Sequence, residues 1–75
     1  MHQQINPPRV ECQSGYSACD RPIAVVWEDQ RLEITRIESE RREPEAKCYR
    51  LITGNGLRFE TRFYEIENRW QVMLI

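Results

Sequence analysis

Residues 49–75 read YRLITGNGLRFETRFYEIENRWQVMLI, and this stretch decides the fold. Apolar and polar residues alternate on both sides of Gly54-Asn55-Gly56, a strong hairpin signal. If Asn55-Gly56 alone formed the loop, Leu51 would face Glu60 and Tyr49 would face Arg62, mixing core with surface. A three-residue loop pairs Leu51 with Phe59, Tyr49 with Thr61 and Arg50 with Glu60. It also puts Gly56 where a type I turn followed by a bulge needs a positive φ. The three-residue loop is the consistent solution.

Working outward, a turn at Glu67-Asn68 places Phe63 opposite Val72, Thr61 opposite Leu74 and Arg62 opposite Met73. Towards the N-terminus the period is again two, with Ile23, Val25 and Trp27 on one side and Ala24, Val26 and Glu28 on the other. A turn at Asp29-Gln30 sets Trp27 against Leu32, Val25 against Ile34 and Glu28 against Arg31. Ile34 and Ile37 differ in parity, which predicts a bulge or bend at Arg36-Ile37. The charge-rich segment from Glu38 to Ala46 contains Pro44 and has no apolar stripe to anchor a helix, so it reads as a long polar loop.

The expected fold is all-β: five antiparallel strands at about 22–28, 31–38, 47–53, 57–66 and 69–75, by the alternation rule. One face would carry Ile23, Val25, Trp27, Leu32, Ile34, Tyr49, Leu51, Phe59, Phe63, Trp70, Val72 and Leu74. A flat sheet would leave that face wet, so a strongly bent sheet or small, SH3-like, partly open barrel is expected. Residues 1–21, with Pro7-Pro8, Gly15 and little periodicity, read as an irregular or disordered leader to a single domain at 22–75.

A chain of 75 residues and 9.1 kDa has little room for an enclosed active site, whereas a flat or grooved binding face is easily built. The formal net charge of −1 gives no global pull towards nucleic acid or anionic lipid. Of the 11 basic residues only Lys47 is a lysine. Arginine suits bidentate contact with carboxylate or phosphate and stacking on aromatics, though genomic codon bias explains such a preference equally well. No apolar run approaches the ~18 residues of a membrane span, and Met1-His2-Gln3-Gln4 lacks a signal-peptide layout. A cytoplasmic protein is expected.

Cys12, Cys19 and Cys48, with His2, are the residues that could hold zinc. Cys-x6-Cys lies outside the usual knuckle spacing, so no metal and no cofactor is expected and free thiols are the simpler reading. A Cys12–Cys19 disulfide would require an oxidising compartment. His2, the sole histidine, falls in the leader, which leaves nucleophilic catalysis without a base. An enzyme is not expected.

The outer face of the last three strands is the candidate binding surface: Arg50, Arg58, Arg62, Tyr64, Arg69 and Met73, interleaved with Glu60 and Gln71. Arginines with an aromatic on a small barrel suit single-stranded nucleic acid. Against this, Glu60 sits within the patch and Tyr64 is the lone outward aromatic, so a solvated, charge-paired face is the plainer reading. The final strand ends in Gln71-Val72-Met73-Leu74-Ile75 with no charge to blunt it, which invites edge pairing with a protein partner or a second copy. Closure of that edge by the first strand is the alternative.

Arg21-Pro22, Val26-Trp27, Arg31, Arg42-Glu43-Pro44, Tyr49-Arg50, Gly56, Phe59-Glu60 and Trp70 form a pattern similar to a small bacterial domain family of unknown function. Members of that family stand alone or are appended to the C-terminus of proteins like the translesion (Y-family) DNA polymerases. The chain departs from the family at Glu38-Ser39-Glu40, where a bulky aromatic is expected, and in its cysteine-bearing leader. The resemblance implies an accessory or adaptor role near DNA repair and brings no catalytic residues with it.

Overall fold

The computed structural model describes residues 7–13 and 21–75, and every regular element among them is a strand. These are β1 (Arg9–Cys12), β2 (Pro22–Trp27), β3 (Gln30–Arg42), β4 (Ala46–Thr53), β5 (Arg58–Tyr64) and β6 (Arg69–Leu74). They form one antiparallel sheet in sequential order. β1 comes back beside β6, so the sheet nearly closes into a small barrel.

The count is six strands where the sequence suggests five. The additional one, β1, lies inside the stretch read as an irregular leader. Val10 pairs with Val25 and is buried, which anchors a strand too short to display a pattern of its own. The second difference is β3, which runs on to Arg42 through residues read as loop. Ser39, Glu40, Arg41 and Arg42 pair with Arg50, Tyr49, Cys48 and Lys47, so β4 templates them as strand despite their composition.

The loop Gly54-Asn55-Gly56 has the expected register, with Leu51 opposite Phe59 and Tyr49 opposite Thr61. Gly56 adopts φ +87°. Its N–H donates to the Thr53 carbonyl at 2.9 Å, and the Thr53 N–H donates to the Leu57 carbonyl at 2.9 Å. Asn55 Oδ1 stiffens the loop by accepting from the Thr53 hydroxyl at 2.6 Å and the Leu57 N–H at 3.3 Å.

The two flanking hairpins are each displaced by two residues from the expected register. In the first, Trp27 pairs with Gln30 and the turn is Glu28-Asp29. Both turn residues have positive φ (51° and 64°), as a twist-matched two-residue hairpin requires. In the last, residues 65–68 form a four-residue turn with Asn68 at φ 52°, and Phe63 meets Trp70 rather than Val72. A shift of two preserves which face each side chain occupies.

The expected bend in β3 is present. Its register slips between Ile34 and Arg36 and again between Ile37 and Ser39, which lets one strand serve both halves of the sheet. Inside the bend lie Val10, Val25, Tyr49, Leu51 and Phe59, flanked by partly buried Trp27, Leu32, Ile34, Ile37, Leu57, Trp70 and Val72. Trp27 meets Phe59 edge-on at 5.3 Å, and Trp70 lies against Phe63 at 4.8 Å. Ile23 and Leu74, expected in the core, are 37% and 48% exposed.

Candidate functional site

β4, β5 and β6 alternate strictly, so Arg50, Arg58, Arg62, Tyr64, Arg69 and Met73 share one face, opposite the core. The sequence placed them together and the structure does the same. What it adds is their partners. Arg50 Nη2 donates to Glu60 Oε1 at 3.0 Å across the β4–β5 pair. Arg58 grips Glu38 with both carboxylate oxygens, Nη2 donating at 2.8 and 2.9 Å. Arg62 Nη1 donates to Glu43 Oε1 at 3.0 Å, and the other oxygen of Glu43 accepts from Arg41 at 3.4 Å. Arg69 Nε donates to Glu67 at 2.7 Å while its guanidinium lies 4.5 Å from the centre of the Tyr64 ring. The Tyr64 hydroxyl donates to Gln71 at 3.2 Å.

The face is therefore an ion-paired lattice in which each candidate arginine already holds a carboxylate. Glu43 raises the Arg62 guanidinium further above its ordinary pKa, first by its charge, with a hydrogen bond to Tyr64 contributing next. The ring face of Tyr64 that a base would need is shared with Arg69. Glu38 and Glu43 were missed as partners because they come from the segment read as a loop.

Cys48 sits under this lattice, opposite Arg62 and 3% exposed. Burial pushes its thiol pKa up, with Glu43 adding to the effect, so it lacks the thiolate character of a reactive cysteine. Cys12 packs against the core from the other face and is disulfide-bonded. Cys12 and Cys48, weighed from the sequence as possible zinc ligands, are thus on opposite faces, and Cys19 and His2 lie outside the described residues. Among the described residues no group of three His, Cys, Asp or Glu side chains is placed to hold a metal, and no helix is long and apolar enough to cross a membrane.

Two further surfaces stand out, a groove the sequence did not single out and the β6 edge that it did. An open groove of about 550 Å³ runs between the β3–β4 connection and the β5–β6 turn, with Pro44, Tyr64 and Ile66 as its apolar walls and Glu45, Glu65 and Glu67 around them. Ile66, at the turn, is fully exposed.

The other surface is the backbone of β6. The Ile75 N–H donates to the Arg58 carbonyl at 3.0 Å, which sets the phase of the β5–β6 ladder. Arg69, Gln71 and Met73 turn both backbone groups towards β5. Trp70, Val72 and Leu74 turn theirs away from it. Among the described residues β6 pairs with β5 alone, and the side chains of Met73, Leu74 and Ile75 are 40%, 48% and 55% exposed.

No known family's sequence model matches the chain, and no curated protein or solved structure matches it.

Proposed function

We propose that the chain is a non-enzymatic interaction or accessory module, with the arginine-bearing outer face and strand β6 as its contact surfaces. The observation that carries this reading is β6 itself. It joins a row of backbone groups unpaired among the described residues to three exposed apolar side chains, which suits protein recognition by strand addition. The outer face supports the same reading, because a phosphate reaching Arg50, Arg58 or Arg62 would meet Glu60, Glu38 or Glu43 already in place. The resemblance of the Arg21–Trp70 pattern adds an accessory role near DNA repair.

Fluorescence anisotropy of a labelled single-stranded oligonucleotide, titrated with the protein at low and at high salt, tests the reading. The expected result is no saturable binding at either salt. Binding that falls steeply with salt and disappears in both Arg62→Ala and Tyr64→Ala would instead make the outer face a nucleic-acid site.

A further inference from the structure

Given that reading, on which this step rests, the partner of β6 can be argued from β6 itself. An antiparallel strand added to this edge must offer outward-facing backbone groups in register with those of Trp70, Val72 and Leu74. A second β6, related by a two-fold axis through Val72, does so at all three positions. Trp70 then lies opposite the partner's Leu74, and Val72 lies opposite the partner's Val72. On the other face Gln71 lies opposite the partner's Met73, and Arg69 opposite the partner's Ile75. The sole charged side chain of β6 meets an aliphatic one, so no like charges are opposed at any rung. Moving the axis to Gln71 loses one of the matched backbone pairs to the β5–β6 turn, and moving it to Met73 puts Trp70 beyond the end of the partner's β6.

Other occupants fit less well. β1, Arg9-Val-Glu-Cys12, offers four residues against six, two of them charged. Joined head to tail between copies, a β1–β6 contact closes only where the rotation completes a ring, whereas a two-fold β6 contact closes at two. Among the described residues β1 comes near β6 without joining it in the sheet, so a second β6 pairs at this edge only with β1 swung aside. Natural edges are blunted by lysine, proline or inward charge, and Trp70-Gln-Val-Met-Leu74 has none of these.

We infer that the chain self-associates into a two-fold dimer by antiparallel pairing of β6 with β6 of a second copy. A single six-residue strand contact falls short of the roughly 1,000 Å² of a stable interface, so the dimer is weak, with a dissociation constant on the order of 0.1 mM.

Sedimentation equilibrium of the full chain from about 10 μM to 1 mM (a range bracketing that constant) provides the test, alongside amide hydrogen exchange and repeated with the oligonucleotide. Reversible dimerisation is expected. In Leu74→Pro the dissociation constant should rise at least tenfold, because this change removes an outward N–H and leaves the bonds to β5 in place. Near-ultraviolet circular dichroism of Leu74→Pro checks that Trp70 and Tyr49 remain packed. Leu74→Lys, which blunts the same edge without altering the backbone, should match it. A monomer at every concentration, or a dimer unchanged in both variants, overturns the inference. So does slow exchange of the Trp70, Val72 and Leu74 amides in dilute monomer, since β1 would then close the barrel. In the first two cases, absence of oligonucleotide binding leaves the interaction-module reading intact, whereas slow exchange of those amides removes the open edge that carries it. Salt-steep oligonucleotide binding is what overturns that reading.

Discussion

The loop Gly54-Asn55-Gly56 allows two alanine substitutions, two positions apart in the same turn, to move stability in opposite directions. Gly56 has φ +87°, and a Cβ built there meets nothing within 4 Å. Any cost of Gly56→Ala is therefore backbone strain alone, about 1–2 kcal/mol for an L-residue in the left-handed region. Restricting the unfolded chain returns about 0.4–1 kcal/mol. The net is a destabilisation of roughly 0.5–1.5 kcal/mol. Gly54 lies outside the left-handed region, and its Cβ would touch Thr35 Cγ2 at 3.7 Å, an ordinary contact. There the unfolded-state effect stands alone, stabilising by about 0.4–1 kcal/mol. For a domain of this size 1 kcal/mol moves Tm by about 4–8 °C, so the two variants should melt roughly 5–15 °C apart, with Gly56→Ala lower. Thermal unfolding followed by far-ultraviolet circular dichroism reads the difference directly. Gly56→Asn should recover most of the loss, since asparagine tolerates this conformation. If Gly56→Ala melts at or above Gly54→Ala, the assignment of strain to Gly56 is wrong and so is the turn type.

Three other outcomes are expected. Phe59→Ala, at a fully buried position against Trp27, should cost about 3–5 kcal/mol, with Trp27→Ala and Trp70→Ala near the lower end; chemical denaturation would contradict the core assignment if all three kept wild-type midpoints. Cys48 should resist a thiol reagent in the native state and react once denatured. Because its folded pKa is raised, its contribution to stability is intact below the unfolded thiol's pKa of about 8.5 and is lost as pH rises through the higher folded value. Stability should therefore fall more between pH 7 and pH 9.5 in wild type than in Cys48→Ala, and parallel losses in the two would remove Cys48 as the cause. A double-mutant cycle on Arg58 and Glu38 should give a coupling of about 0.2–1 kcal/mol despite the bidentate geometry, since both side chains stay partly solvated; a coupling well above this would mean the lattice is drier than its exposure indicates.

The sequence identified faces more securely than partners. Every residue read as inward-facing from Val25 to Val72 lies in or against the core, because strand parity survives a shift of two and both misregistered hairpins were wrong by two. Those errors trace to turn chemistry: Glu28 takes a positive φ that glutamate seldom favours, and the last turn has four residues ending in Asn68. β1 was illegible because four residues with one buried valine carry no period. The second half of β3 was illegible for the opposite reason. Glu38-Ser-Glu-Arg-Arg42 has abundant pattern, all of it charge, and becomes strand through its pairing with β4. The candidate site inherited the same division, with its arginines readable from parity and Glu38 and Glu43 hidden in the supposed loop.

That division bears on what the surface can bind. An anion approaching Arg50 or Arg62 must lie close to Glu60 or Glu43, and two unit charges 4 Å apart in water repel by about 1 kcal/mol. The outer face therefore exchanges one ionic contact for another with little net gain. The edge of β6 has no such competitor among its own side chains. Two-fold pairing through Val72 makes six ladder hydrogen bonds, worth about 0.5–1.5 kcal/mol each, and covers part of Met73, Leu74 and Ile75. Association costs about 4–15 kcal/mol, so these gains are just enough for a weak dimer and far from enough for a permanent one. A weak contact leaves the same edge available to a longer partner strand, whose additional side-chain contacts would displace the second copy by mass action.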